Sequence, residues 1–205
     1  MLKHLLAVLA IAGALISPAS SLEPTSAVFV SYPITKKISV MGSGVHIGGG
    51  VYLSAVHVVE KSKGEVTFTD ELGRPSKGTV AWVAPRYDIA MLLGRADRPA
   101  SELACRPAKL EEPVTIQGNP LDMRFIRTHG TIAGDSPKEG KGPRWPESYI
   151  IDATSAPGNS GGPVYDVYGK VIGILVGGYS GFPFAIAVPS ATVCNLLGRP
   201  IVDPQ

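Results

Sequence analysis

Residues 42–59 read GSGVHIGGGVYLSAVHVV. Two short apolar runs flank Gly48, Gly49 and Gly50. Three glycines in a row weaken any regular element, so they mark a turn. The stretch reads as a β-hairpin whose second strand runs out through AVHVV. The same texture repeats on both sides. AVFVSY (27–32) is a short β-rich run. EVTFTD (65–70) and GTVAWVAP (78–85) alternate, with Val66 and Phe68 on one face, while DIAMLLG (88–94) is a continuous apolar run of the buried-strand type. A second series follows at 114–118, 125–134, 148–154, 162–166, 170–178 and 184–189. The chain closes on one helical signal, with Ser190 as N-cap, Val193, Leu196 and Leu197 apolar, and Gly198 as terminator. The expected fold is all-β: two six-stranded antiparallel β-barrels packed side by side, over about 27–95 and about 113–189. A Pro-, Ala- and charge-rich linker (96–112) joins them, and a short C-terminal helix (190–198) follows.

The N-terminus is a separate object. Lys3 precedes an unbroken apolar stretch, Leu5–Ile16, and then SPASS. That is the pattern of a secretory signal peptide over residues 1–20, too short in its apolar part to span a bilayer as a helix. The expected mature domain is 21–205, secreted or periplasmic, with no membrane attachment after cleavage. Of 205 residues, 44% are hydrophobic and 18% charged, a globular composition rather than a disordered one. The net charge is +2, and losing Lys3 leaves it near neutral, so nothing points to nucleic acid. Lys138, Lys141 and Arg144 read as a solvated loop inside the Pro/Gly-rich stretch 135–147. Three histidines remain after cleavage, and no CxxC or HExxH spacing exists, so neither a metal site nor a cofactor is expected. Export permits a disulfide between Cys105 and Cys194, but sequence cannot show that they are close, and buried free thiols are the default reading.

Chemistry enters with ATSAPGNSGGPVYD (153–166), where Ser160 stands among Gly158, Gly161 and Gly162. Such a cluster signals a tight turn or a close backbone approach. A serine hydroxyl is a weak nucleophile near neutral pH and needs a neighbouring base. Of the histidines, His46 and His129 sit inside strands and read as strand-surface or satisfied core residues. His57 lies at a strand end, where a side chain can reach a cleft. An imidazole base needs an acid behind it. Asp88 opens a strongly apolar strand, where a carboxylate is costly unless paired. His57 and Asp88 fall in the first barrel and Ser160 in the second, so the chemistry belongs between them.

LSAVHVV, YDIAMLL and PGNSGGPV resemble the three catalytic signatures of the chymotrypsin-fold (trypsin-like) serine proteases, in that family's order. GNSGGP, TIQGNP with THGTIAG, and GKVIGI resemble its HtrA/Deg-type branch, over about residues 27–197. The resemblance implies a serine endopeptidase acting on polypeptides, with Ser160 as nucleophile, His57 as general base and then acid, and Asp88 as orienting carboxylate. The amides of Gly158 and Ser160 would form the oxyanion hole, with Gly158 kept bare so that no side chain crowds the substrate carbonyl. Gly161 and Gly162 would let the chain dive into the next strand. Asp152 becomes a positioning residue rather than a rival acid. Thr154 would lie at the base of the primary specificity pocket, with Ser155, Val176, Gly177 and Gly178 around it. No carboxylate stands there to receive Lys or Arg, and ILVGGY (174–179) holds no histidine, so small or medium aliphatic residues are expected at the cleaved position. Asn159 cannot make the ion pair with a freed N-terminus that an aspartate makes in digestive relatives. Activity would then depend on the ordering of loops 135–147, 154–159 and 177–183. HtrA-type proteins usually add a PDZ module, and the expectation here is a domain without one. The alternative is a catalytically silent binding protein on the same fold.

Overall fold

The structure, a computed structural model, describes residues 25–136, 147–179 and 181–202. The leader and the basic loop residues Lys138, Lys141 and Arg144 lie outside that range. The first barrel holds β1 (Ala27–Pro33), β2 (Ser39–His46), β3 (Val51–Ala55), β4 (Glu65–Thr69), β5 (Pro75–Ala84) and β6 (Ile89–Leu93). They close in the order β1-β2-β3-β6-β5-β4. The second holds β7 (Pro113–Gly118), β8 (Ile126–Asp135), β9 (Tyr149–Asp152), β10 (Pro163–Tyr165), β11 (Val171–Gly178) and β12 (Phe184–Pro189), closed as β10-β11-β12-β9-β8-β7. Every pairing is antiparallel, and closure leaves neither sheet an open edge. The expected two-barrel, all-β architecture is what the chain adopts.

Alternation decides which side chains fill each barrel. On β4, Val66 and Phe68 are buried and their neighbours are not. Phe68 stacks on Tyr52 at 4.2 Å between ring centroids, and Tyr52 stacks on His46 at 4.5 Å. His46 is a satisfied core residue: one ring nitrogen accepts from the Gly50 amide and the other faces the carbonyls of Arg98 and Pro99. A single apolar cluster runs from β1–β6 through Tyr165, Val171, Ile174, Ile186 and Val188 of the second barrel to Val193. The two barrels therefore meet along a packed apolar seam, while Val114, Ile116, Ile132, Ile151, Ile172 and Leu175 belong to a separate cluster inside the second barrel.

Two local readings change. Val56–Val59 is a short helix, α1, and not the end of a strand. The C-terminal helix α2 spans Ser190–Leu196, with Pro189 at the N-cap position. Ser190 lies inside it, its hydroxyl buried and unpaired rather than capping. Cys105 and Cys194 form a disulfide that ties the linker to α2. Among the described residues no helix is long and apolar enough to cross a membrane.

Candidate active site

Asp88 precedes β6 at a φ of 58°, in the left-handed region that Asp tolerates better than most residues. From there it organises the start of α1. A helix leaves its first amides without partners, and Ala55, at the N-cap, offers no side-chain acceptor. Asp88 takes that role from the neighbouring strand, where Ile89 pairs with Ala55. Its carbonyl accepts from the Val56 amide (3.0 Å), and its Oδ1 accepts from the His57 amide (2.9 Å). Its Oδ2 accepts from His57 Nδ1 at 2.5 Å. The carboxylate is largely buried, 11% exposed, while the imidazole remains 36% exposed. One acid therefore builds the turn that carries the histidine and holds the ring in a single tautomer, leaving Nε2 as the open basic nitrogen.

On the other side, Ala156-Pro157-Gly158-Asn159 forms a turn closed by the Asn159 amide on the Ala156 carbonyl (3.1 Å). Gly158 has a φ of 103°, and the Pro-Gly pair is what a type II turn requires at its centre. A Cβ on Gly158 would lie 2.3 Å from the Asn119 carbonyl oxygen. The glycine is thus demanded by its own backbone and by Asn119, not only by room for a substrate. Neither the Gly158 nor the Ser160 amide donates to a backbone carbonyl among the described residues, so both remain available. Gly161, at a φ of 84°, passes within contact of the Ser43 carbonyl, which a side chain would block.

His57 and Ser160 line one cleft of about 780 Å³. Ser155, Ala156, Val176, Gly177, Gly178 and Phe184 form part of its wall, and Tyr179 and Phe182 flank it. No charged side chain contributes to the described lining. Thr154 is not part of that wall. It is exposed, and its carbonyl accepts from the Thr128 hydroxyl (3.0 Å). Asp152 is exposed at the end of β9, and His129 is an outer residue of β8 that hydrogen-bonds with Thr115. The Ser160 hydroxyl makes no hydrogen bond to the imidazole among the described residues, a looseness common before substrate draws the groups together. No cluster of His, Cys, Asp and Glu suited to a metal occurs among the described residues.

The aromatic contributors Tyr179, Phe182 and Phe184 lie in or beside stretches already quoted, but sequence reasoning gave none of the three side chains a place in the cleft. Nor did it give a role to Ser43 and Asn119, whose hydrogen bonds stand behind the turn. Both lie in quoted stretches, GSGV and TIQGNP, but only tertiary contacts reveal their partners.

Two closed six-stranded barrels, with a His–Asp pair on one and a glycine-flanked serine on the other facing a shared cleft, define the chymotrypsin-like class. The trypsin-like peptidase domain matches residues 42–174, and the chain belongs to that family. A serine protease HtrA-like from Staphylococcus haemolyticus is 28% identical over 179 residues, 74% of this chain and 28% of that protein. A probable periplasmic serine endoprotease DegP-like from Chlamydia trachomatis is 26% identical over 175 residues, 82% of this chain and 35% of that protein. The chain thus spans about a third of the length of these curated relatives. The crystal structure of the active form of the Rv3671c protease from M. tuberculosis superposes with a TM-score of 0.73 at 26% identity. It covers 88% of this chain, and 82% of that one is matched.

Proposed function

We propose that this protein is an exported serine endopeptidase that hydrolyses polypeptides through His57, Asp88 and Ser160. The observation that carries the reading is the pair of bonds from His57 to Asp88, made while His57 and Ser160 line the same cleft. In the first step Ser160 Oγ attacks the scissile carbonyl carbon and His57 Nε2 accepts its proton. Asp88 stays ionised and stabilises the imidazolium. The carbonyl oxygen becomes an oxyanion and receives the Gly158 and Ser160 amides. The C–N bond then breaks, and His57 returns the proton to the departing amine, leaving an acyl-serine. Water attacks the ester with His57 again taking a proton. The acid product leaves as Ser160 regains its hydrogen.

The apolar lining, with no side-chain charge, supports a preference for Ala, Val or Leu at the cleaved position. Each methylene there changes discrimination by only about 1–3 kcal/mol, so selectivity is broad. The kinship with a DegP-like periplasmic relative and the leader pattern at 1–20 support export.

The mature protein is expected to react with a fluorophosphonate probe at Ser160 and to cut proteome-derived peptides after aliphatic residues. Ser160→Ala should lose both. A folded wild type that neither labels nor cleaves would instead establish the silent binding protein.

A further inference from the structure

The turn that carries Gly158 is held by groups outside the His57, Asp88 and Ser160 set. A trans peptide points its C=O and N–H in opposite directions. Fixing a carbonyl therefore aims the amide on the other side of the same plane. The Pro157 carbonyl accepts from the Leu121 amide at 2.8 Å, and this sets the Gly158 N–H. The next carbonyl, that of Gly158, accepts from the Ser43 hydroxyl at 2.7 Å. Ser43 lies on β2, in the barrel that carries His57 and Asp88. Its own amide donates to the Ser160 carbonyl at 2.8 Å. One residue of the first barrel thus grips the serine loop of the second at two points, on either side of Asn159.

Asn119 completes the arrangement. Its amide and its Nδ2 both donate to Ser43 Oγ at 3.0 Å, so the serine proton is left to point at Gly158. Its Oδ1 accepts from the Phe125 amide at 3.1 Å, closing the loop that supplies the Leu121 amide. That loop is strained: Leu121, Asp122 and Phe125 all have positive φ. Arg124 anchors it by lying over the Phe29 ring of β1. Ser43 and Asn119 are essentially fully buried, at 0% and 1% exposure. Neither lines the cleft. Two polar side chains this deep would be a cost to the fold without partners, and here nearly all their capacity goes to the turn and its supporting loop.

We propose that Ser43 and Asn119 are positioning residues that lock the Pro157–Gly158 and Gly158–Asn159 peptides in the orientation that keeps the Gly158 amide aimed into the cleft. This rests on the reading of Ser160 as nucleophile and of Gly158 as oxyanion donor. Losing an oxyanion donor outright costs about 10²–10³ in rate. Loosening its support should cost less, about 10- to 100-fold. The loss should fall on kcat, because the oxyanion contact strengthens only as charge develops.

The test compares wild type, Ser43→Ala, Asn119→Ala and the double variant. It measures kcat and KM on a peptide substrate and affinity for a peptide aldehyde. The aldehyde forms a hemiacetal with Ser160 that needs the oxyanion hole, whereas the matching peptide alcohol does not. Each single variant is expected to lose kcat and aldehyde affinity by similar factors, with KM and alcohol affinity near wild type. The double variant should lose more than Ser43→Ala by the support that Asn119 gives through the Phe125 amide, and less than the product of the two single losses, since both residues share the Ser43 hydroxyl. Ser43→Cys, close to native in volume but a weak donor, covers the case in which the alanine variant does not fold, and should show the same split. Wild-type kcat and aldehyde affinity retained by a folded Ser43→Ala or Ser43→Cys protein would overturn the proposal. So would a rise in KM and a loss of alcohol affinity in step with the loss of kcat. An inactive wild type would defeat the underlying reading instead, and is recognised before any variant is made.

Discussion

Asp88 accepts from α1 and its histidine through its carbonyl and both carboxylate oxygens. Asn at this position would keep the left-handed φ of 58° at little cost, since Asn also populates that region. It would also keep a similar volume. Its side chain has one acceptor oxygen where two are needed, one for the His57 amide and one for Nδ1. Turning the oxygen toward the amide puts an NH₂ against Nδ1 and forces the wrong tautomer. Asp88→Asn is therefore expected to fold, with a Tm close to wild type, and to lose kcat by about 10⁴-fold at neutral pH. Kinetics and a melting curve on one preparation check both halves. A variant that unfolds outright would place the main role of Asp88 in capping α1 rather than in tuning the imidazole.

At the scale of elements, the linker is held by ionic contacts that the fold makes directional. Arg106 donates to both Glu112 oxygens, at 2.5 and 3.0 Å, and to Asp166 Oδ2 at 3.0 Å. Asp166 in turn accepts the amides of Tyr168 and Lys170, fixing the β10–β11 hairpin. Arg106 holds the Glu112 carboxyl below its ordinary range; burial opposes this, and the Lys109 amide assists it. A carboxyl whose folded value is depressed adds stability above its unfolded value, near 4.5, and loses it as pH falls through the lower folded one. Melting temperature should drop as pH is lowered below about 5. Glu112→Gln should lower Tm at pH 7 by roughly 3–12 °C, the equivalent of a charged hydrogen bond of about 1.5–3 kcal/mol, and flatten the acid limb. An unchanged acid slope in the variant would assign that limb to other carboxylates. Strands such as β4 and β6 were legible because burial writes itself as alternation or as an apolar run. Helix α1 was not, because VHVV is β-branched and four residues long, and Asp88 holds it from 31 positions away. The glycine-flanked Ser160 and His57 stood out as candidates from local chemistry. The support from Ser43 reaches Gly158 across 115 positions and leaves no periodic trace. Thr154 is exposed and outside the described cleft wall, a placement its distance from Ser160 along the chain does not reveal.

For the whole molecule, the seam between barrels is where the chemistry and the stability meet. The apolar cluster at the seam continues into Val193 and Cys194 of α2 and into Leu103 and Cys105 of the linker. The linker also forms a parallel bridge, Leu103 to Val171, and the Val202 amide returns to the Cys105 carbonyl. The Cys105–Cys194 bond thus fastens the connection between barrels to the last helix, closing 89 positions of chain. Its stabilisation comes mainly from restricting the unfolded chain, and a bridge of this kind typically contributes about 2–4 kcal/mol. Neither cysteine lines the cleft, and the contacts that align the site, from Ser43 to the serine loop and from Asp88 to His57, do not pass through the bond. The double variant Cys105→Ser, Cys194→Ser should therefore melt roughly 4–16 °C below wild type under non-reducing conditions. Under reducing conditions the gap should close, because wild type loses the same cross-link. Peptide hydrolysis at room temperature should be nearly equal in the two proteins. A folded double variant with a markedly lower kcat would mean that the far side of the seam sets the register between the barrels, and with it the approach of His57 to Ser160.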